Sequence, residues 1–133
     1  MRLEDEATVG TDSGVAADSR GRPGNRQVTV LAEEDWDRAC AEAGADLPWH
    51  ARRANLLVRG LALADTGGRR LRIGEQVVLQ VTGELEPCSR MDEAHEGLRE
   101  ALVPDWRGGL TCRVLTGGRI ATGDSVRLED SDD

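Results

Sequence analysis

The sequence contains no lysine, tyrosine or phenylalanine, so all seventeen of its basic residues are arginine. Without lysine the chain cannot form an internal Schiff base with pyridoxal phosphate, and it has no Walker-A lysine. The absence of tyrosine removes a phenolic acid or nucleophile. Only two histidines, His50 and His95, are present, too few for the common His-rich zinc or facial-triad iron sites. Cysteine, serine, carboxylate and arginine chemistry remain.

Long apolar runs and paired cysteines are also missing. No apolar run approaches the roughly 20 residues that a membrane-spanning helix needs, and no signal-peptide core follows the acidic start of the chain. The three cysteines, Cys40, Cys88 and Cys112, form no C-x-x-C pair, which argues against a disulfide framework or a zinc knuckle. We therefore expect a cytoplasmic protein in a reducing compartment with no membrane partner.

The chain also has no excess of basic over acidic residues. Seventeen basic against twenty-five acidic residues leave a net charge of −8, and a field of that sign repels nucleic acid. We therefore expect no nucleic-acid partner. With 133 residues, 38% of them hydrophobic, the chain is long enough for one modest core but not for two domains.

The pattern of short apolar stretches and glycine turns predicts a mainly β protein, a small β-barrel-like fold with two or three short helices. The predicted strands are Gln27–Leu31, Asn55–Leu63, Arg70–Ile73, Gln76–Gly83, Leu110–Leu115 and Ser125–Leu128. Similar turn sequences at 66–77 and 116–126 predict one hairpin solution used twice. Residues Glu4–Asn25 show no periodicity and predict a long loop or a loosely ordered arm. The predicted division is an N-terminal arm at 1–13, a barrel domain at 14–128 and an acidic tail at 129–133.

Two helices are predicted from apolar stripes. Small and apolar residues at i, i+3, i+4 and i+7 predict a helix over Glu33–Ala43 that buries Cys40 and ends at Gly44. A second stripe, from Met91 to Leu102, predicts one helix. Ser89 and Asp92 match a capping box at its start, and Pro104 ends it. His95 lies on this stripe and is interpreted as a histidine at the edge of the core.

Cys88 is the residue whose position most clearly suits a chemical role. It follows Pro87 and immediately precedes the predicted helix start, where unpaired N–H groups and Arg90 favour a thiolate. The nearby carboxylates oppose this if they point the same way; they are Glu84, Glu86, Asp92 and Glu93. We interpret Cys88 as a nucleophilic or metal-ligating thiolate. Cys112 alternates with apolar residues in a strand and is expected to be packed.

Several arginines lie where the loops of a barrel would converge. Arg52-Arg53 precede a predicted strand, Arg90 lies beside Cys88, and Arg107 precedes a glycine pair. Because the guanidinium fork binds oxyanions bidentately, arginines around one thiolate suit a ligand that bears phosphate or another oxyanion.

An ordered set of short motifs resembles the MOSC domain, the module named for the C-terminus of molybdenum-cofactor sulfurases. The set is Arg26-Gln27-Val28, Arg53-Ala54-Asn55-Leu56, Gly60-Leu61, Ile73-Gly74, Pro87-Cys88, Arg107-Gly108-Gly109 and Gly123-Asp124. It runs from about Gly14 to Leu128, so the chain looks like a small stand-alone member. The resemblance implies a β-rich barrel-like fold, association with the molybdenum cofactor, and a functional cysteine that corresponds to Cys88.

Two roles for that cysteine follow from the resemblance. In sulfurase-type members it carries sulfur as a persulfide, whereas in relatives similar to the amidoxime-reducing enzymes it ligates molybdenum. Arg53, Asn55, Arg90 and Arg107 are the expected cofactor-binding residues. Many members of the family carry an Asp-His pair in the early glycine-rich loop, and its absence from Ala17-Asp18-Ser19-Arg20 weighs against the reductase.

Three functional hypotheses follow. The first is a protein that binds the molybdenum cofactor or carries sulfur on Cys88, with a cysteine desulfurase as sulfur donor because the chain cannot use pyridoxal phosphate itself. The second is a molybdenum-dependent reductase of N-hydroxylated compounds, served by an electron-transfer protein. The third is a small-barrel interaction module whose cysteine has no chemical role. As an enzyme, the chain would be a sulfurtransferase or a molybdenum-dependent oxidoreductase.

Overall fold

A computed structural model describes residues 6–11, 14–15 and 28–130, and these hold nine strands and three α-helices. The strands are β1 (Glu6–Gly10), β2 (Gly14–Val15), β3 (Val28–Ala32), β4 (Leu56–Val58), β5 (Arg70–Ile73), β6 (Val77–Glu84), β7 (Leu110–Thr116), β8 (Gly118–Ala121) and β9 (Val126–Glu129). The helices are α1 (Glu33–Ala43), α2 (Ser89–Ala94) and α3 (Leu98–Ala101), with 3₁₀ turns at Trp49–Arg52 and Pro104–Trp106.

The strands form one curled sheet of six and a smaller sheet of three. The order of the larger sheet is β4-β3-β7-β6-β5-β9, and only β3 and β4 are parallel. The smaller sheet has the order β2-β1-β8. This half-barrel with short helices confirms the predicted mainly β fold.

The alternation of side chains along β3 separates two apolar clusters. Val28, Val30 and Ala32 point into the main core, which also contains residues of β1, β5, β6, β7 and β8. Leu31 points the other way, into a second cluster beneath the three helices. Because successive side chains of a strand alternate between faces, Thr29 lies on the helix side with Leu31. That side holds the cleft described below.

Helix α1 follows the predicted pattern. Its bounds match the prediction, Trp36, Ala39 and Cys40 are buried, and Gly44 ends the helix with a left-handed φ of 73°. Glycine adopts this conformation without the steric penalty of a Cβ atom. The amphipathic stripe and the glycine stop therefore determine this element locally.

The N-terminal loop prediction is wrong over two short stretches. Residues Glu6–Gly10 form β1, which pairs with β8, and Gly14–Val15 form β2. No local periodicity marks these strands: β1 pairs with β8, more than a hundred residues away, and β2 pairs with β1. Thr11 lies in a turn after β1, and the rest of the predicted loop lies outside the described residues.

Two further predictions are corrected by the structure. The predicted strand Asn55–Leu63 is reduced to Leu56–Val58, because Gly60 takes a left-handed φ of 77° soon afterwards. The similar turns do not make two hairpins: β5 and β6 pair with each other, but β8 and β9 lie in different sheets.

The single helix predicted from Ser89 onward is instead two helices. It begins at Ser89 as predicted, but Gly97, with φ 90°, separates α2 from α3. The capping box does not form, because Cys88 occupies the N-cap position without a side-chain cap. Asp92 accepts a hydrogen bond from the Arg99 backbone N–H at 3.1 Å instead.

Candidate functional site

An open cleft of about 980 Å³ lies between the end of β6, the start of α2 and the turn that precedes β4. Its lining residues are Thr29, Ala51, Arg52, Arg53, Asn55, Glu84, Leu85, Glu86, Pro87, Cys88, Arg90, Met91, Glu93 and Arg99. A second concavity of about 450 Å³, between the turns at 74–76 and 123–125, has no cysteine in its lining. The first cleft is therefore the candidate site.

Cys88 lies on the wall of this cleft with its side chain exposed. It is the N-cap residue of α2, and its extended backbone has φ −124° and ψ 178°. Its carbonyl accepts the Met91 N–H at 2.9 Å, which forms the first turn of the helix. The thiol is thus presented at a turn, open to a ligand in the cleft.

Arginines from three separate segments converge on the cleft. Arg53 ends the 3₁₀ turn with a left-handed φ of 66° and is exposed, Arg90 lies in the first turn of α2, and Arg99 comes from α3. The structure therefore brings the predicted residues Arg53 and Arg90 together with Cys88. Arg99 was not predicted, because no local pattern connects it with the Cys88 loop.

Arg52 also reaches the cleft but is buried, with 7% of its surface exposed. Its guanidinium donates to backbone carbonyls of the Gly108 loop and of the Leu85–Glu86 segment. Its position at the base of the site distinguishes it from the exposed arginines on the wall.

Asn55 lines the cleft and joins β3 to the segment that precedes β4. Its Oδ1 accepts the Thr29 backbone N–H at 2.8 Å and the Thr29 hydroxyl at 3.1 Å. Its own backbone N–H lies 3.0 Å from the same hydroxyl oxygen. Asn55 thus lines the same cleft as Cys88 and the arginines, and its side-chain oxygen already accepts hydrogen bonds from Thr29.

Carboxylates share the cleft with the arginines. Glu84, Glu86 and Glu93 all line it. Burial raises the pKa of the Glu84 carboxyl, and the neighbouring charges of Glu86 and Asp65 add to the rise. The lining thus contains four arginines and three glutamates, and the glutamates favour a ligand that can donate hydrogen bonds.

Arg107 is the predicted site residue that the structure does not bring to the cleft. Its side chain is 9% exposed, and its Nη1 lies 3.0 Å from Glu42 Oε2 and 3.0 Å from the Ala101 carbonyl oxygen. Asp35, on the same helix as Glu42, also interacts electrostatically with Arg107. Arg107 thus joins α1 to the end of α3.

The other cysteines and the histidines lie apart from the cleft. Cys112 is fully buried in β7, and burial raises the pKa of its thiol to about 12, while burial also raises the pKa of Cys40. Both predictions of a packed cysteine are confirmed. His95 is half-buried with Nδ1 2.9 Å from the Glu96 carbonyl oxygen, and His50 packs edge-on against Trp49.

The part of the chain that the structure describes holds neither a cluster of metal-ligating side chains nor a membrane-spanning helix. Within residues 6–11, 14–15 and 28–130, no three His, Cys, Asp or Glu side chains are grouped to hold a metal ion. None of the helices in this part of the chain has the length and apolar character needed to cross a bilayer.

The chain is similar to a known domain family and to several solved structures. The family model of the MOSC domain matches residues 10–127. Among solved structures, the YuaD protein from Bacillus subtilis is 19% identical with a TM-score of 0.76, covering 98% of this chain and 88% of that one. No curated protein sequence gives a significant match.

Two larger structures have the same fold. YiiM from Geobacillus stearothermophilus is 21% identical with a TM-score of 0.75, covering 96% of this chain and 62% of that one. YiiM from Escherichia coli is 17% identical with a TM-score of 0.73, covering 96% and 64%. The chain therefore spans less than two thirds of the length of either YiiM protein.

Proposed function

Because the chain belongs to the MOSC domain family, whose members are associated with the molybdenum cofactor, we propose that it binds this cofactor or carries sulfur for it through the thiol of Cys88. One observation carries the proposal: the thiol is exposed on the wall of a cleft in which arginine side chains converge. Cofactor binding and sulfur carriage use the same cleft, and they differ in whether the thiol bonds to molybdenum or to sulfur.

The residues of the cleft fit the cofactor by size and chemistry. A volume of about 980 Å³ lies at the upper end of the range for small-molecule sites, about 300–1,000 Å³. Arg53, Arg90 and Arg99 offer guanidinium groups for a phosphate. Asn55 is proposed with them as a binding residue, and Glu84 as an acceptor for ring N–H groups. A thiolate is a soft ligand suited to a transition metal.

The sulfur-carrier reaction requires only a donor persulfide. The Cys88 thiolate attacks the terminal sulfur of a persulfide on a partner protein, for which a cysteine desulfurase is the proposed class. The sulfur–sulfur bond of the donor breaks as a new one forms on Cys88, and the donor leaves as a thiolate. The exchange is redox-neutral overall. The partner is needed because this chain has no lysine to hold pyridoxal phosphate.

The second candidate function is a reductase in which Cys88 ligates molybdenum. It rests on the same exposed thiol, and it additionally needs an electron-transfer partner. When bound, the cofactor would supply a redox-active metal. Cys88 would hold that metal, and the arginines would hold the cofactor's phosphate.

Sulfur transfer is tested by intact mass spectrometry after incubation with a cysteine desulfurase and cysteine. We expect the mass of one added sulfur atom on the native chain, removed by a reductant and absent from Cys88→Ser. Cys112→Val should retain the adduct, because that thiol is buried. No adduct on the native chain would contradict the carrier role.

A matched control distinguishes sulfur uptake that is specific to the Cys88 site from uptake by any exposed thiol. Val103 is 58% exposed and lies outside the cleft, so Val103→Cys in the Cys88→Ser background presents a thiol elsewhere on the surface. We expect sulfur uptake by this variant to be much slower than by the native chain. Equal uptake by the two would show that any exposed thiol suffices.

Cofactor binding is tested by purification from a host that makes the molybdenum cofactor, followed by metal analysis. Retention of stoichiometric molybdenum by the native chain and by Cys112→Val, but not by Cys88→Ser, supports ligation by Cys88. If neither sulfur nor molybdenum is bound, the interaction-module hypothesis is the one that remains.

A further inference from the structure

The buried guanidinium of Arg52 bridges two loops that are distant in the sequence. Its Nε donates to the Gly108 carbonyl at 3.0 Å. Its Nη2 donates to the Leu85 carbonyl at 2.8 Å and to the Glu86 carbonyl at 3.3 Å. Three backbone carbonyls on two segments are thus held by one side chain that is 7% exposed. Only a planar group with several donors in fixed directions can serve both segments at once.

The same contact between loops depends on a residue without a side chain at position 108. A Cβ atom added to Gly108 would lie 2.6 Å from the Leu85 carbonyl oxygen and 3.1 Å from Nη2 of Arg52. The approach of the two backbones is therefore closer than any other residue permits. A further hydrogen bond, from the Leu85 N–H to the Gly109 carbonyl at 2.8 Å, continues the contact.

Two of the carbonyls that Arg52 holds, those of Leu85 and Glu86, belong to the segment that leads to Cys88. Glu86 precedes Cys88 by two residues, with Pro87 between them restricting the backbone. On the other side of Cys88, the Met91 N–H fixes its carbonyl in the first turn of α2. The backbone of Cys88 is thus restrained from both directions, once by the helix and once by Arg52.

We propose that Arg52 is a positioning residue that holds the Cys88 thiol among the exposed arginines of the cleft by bridging the Leu85–Glu86 carbonyls to Gly108. The inference rests on the proposed function only in taking Cys88 as the reacting group. Arg52 acts through the backbone, whereas Arg53 and Arg90 act on the ligand. A change at Arg52 should alter which reagents Cys88 prefers, even where the fold survives.

The test compares alkylation of Cys88 by iodoacetate and by iodoacetamide. The same thiolate attacks the iodomethylene carbon of either reagent and displaces iodide, so the ratio of the two rate constants cancels the fraction of thiol that is ionised. The ratio then reports the positive charge that an anionic reagent meets near the sulfur. Cys88→Ala serves to confirm that the measured alkylation occurs at Cys88.

Four variants make the test specific. Arg52→Lys keeps the charge, but its single ammonium cannot bond both segments in the guanidinium geometry. Gly108→Ala changes no charge and forces the two backbones apart. Arg52→Met removes both the charge and the bridge. Leu71→Ala, in the main core, is a control for general loss of stability.

We expect the ratio of the iodoacetate rate constant to the iodoacetamide rate constant to fall about threefold or more in Arg52→Lys, Gly108→Ala and Arg52→Met. A factor of about three corresponds to the loss of one exposed charge contact. Leu71→Ala should keep the native ratio. A native ratio in Arg52→Lys, with a fall in Arg52→Met alone, would overturn the proposal because charge without the bridge would suffice. A native ratio in all variants would overturn it too. Arg52→Lys decides the matter if Gly108→Ala does not fold.

This result is separate from the outcome of the sulfur and molybdenum assays. If the native chain takes up neither, but the ratio falls as expected, Arg52 still positions the thiol and only the proposed function fails. If sulfur or molybdenum is bound while Arg52→Lys and Gly108→Ala keep the native ratio, the function stands and the role of Arg52 is rejected.

Discussion

The side-chain oxygen of Asn55 accepts the backbone N–H of Thr29 at 2.8 Å, and both residues line the cleft that contains Cys88. The two residues are 26 positions apart, one on β3 and one just before β4. Two more hydrogen bonds, at 3.0 and 3.1 Å, connect the Thr29 hydroxyl to Asn55. One amide side chain therefore contributes both to the parallel pairing of β3 with β4 and to the cleft lining.

Asn55 has a structural role that its replacement should reveal. Asn55→Ala removes the acceptor of the Thr29 N–H, so we expect the free energy of unfolding to fall by about 1–3 kcal/mol. Asn55→Asp keeps the acceptor and should retain more stability, while its added negative charge weakens the binding of inorganic phosphate. Urea denaturation and phosphate titration followed by NMR measure the two effects. Equal stability of Asn55→Ala and the native chain would contradict the structural role.

Arg107 should matter for stability rather than for ligand binding. Its guanidinium contacts Glu42 and the Ala101 carbonyl, away from the cleft. We expect Arg107→Met to lower the free energy of unfolding by about 1–3 kcal/mol, because it leaves a carbonyl and a half-exposed carboxylate without their cation. Arg99→Met is the matched control. Arg99→Met should weaken phosphate binding with little loss of stability. If Arg107→Met instead weakened phosphate binding and Arg99→Met lowered stability, Arg107 would belong to the ligand site.

The parts of the fold that local patterns predicted are those whose determinants lie within one element. The stripe around Trp36 predicts the bounds of α1, and alternation followed by a glycine turn predicts Arg70–Ile73, the residues that form β5. Strand β1 could not be predicted, because its stability comes from pairing with β8 and not from its own periodicity.

The site was predictable in part for the same reason. Cys88, Arg53 and Arg90 lie at the ends of predictable elements, and the structure brings them to one cleft. The position of Arg107 depends on how α1 packs against α3, and no sequence spacing records that packing. The break at Gly97 likewise could not be read from the apolar stripe, which continues through it.

The carboxylate of Glu34 should stabilise the fold above its titration range. Hydrogen bonds from its own backbone N–H and from the Gly60 N–H, 2.8 Å away, hold the pKa of Glu34 below the ordinary value. A lowered pKa in the folded state gives stability that is present above the unfolded pKa and is lost as the pH falls through the folded pKa. Glu34→Gln should therefore be less stable than the native chain at neutral pH, and the difference should disappear in acid.

The neighbouring Asp35 should behave in the opposite way. Burial raises its pKa, and the attraction of Arg38 and Arg107 only partly offsets the rise, to which Glu34 and Asp105 add. A raised carboxyl pKa means that the folded state binds the proton more tightly, so stability falls as the pH rises through the folded pKa.

Asp35→Asn removes this cost. We expect the variant to be more stable than the native chain at neutral pH, with a difference that shrinks as the pH falls below the titration of Asp35. Urea midpoints across the acid range measure the effect. A variant that is less stable than the native chain at neutral pH would show that the arginine contacts outweigh the burial.

The free energy of unfolding at alkaline pH should depend clearly on the buried thiols, because the chain has no lysine or tyrosine that titrates in that range. Burial raises the pKa of Cys112 from 9.0 to about 12, so between these values its thiol ionises in the unfolded chain but not in the folded one. The free energy of unfolding should then decline with pH, by at most about 1.4 kcal/mol per pH unit for this thiol. Cys112→Val should flatten the decline. Val114→Ala, a buried substitution in the same strand, is the control: it should lower stability but keep the native slope of unfolding free energy against pH. An unchanged slope in Cys112→Val would mean that the thiol titrates equally in the folded and unfolded states.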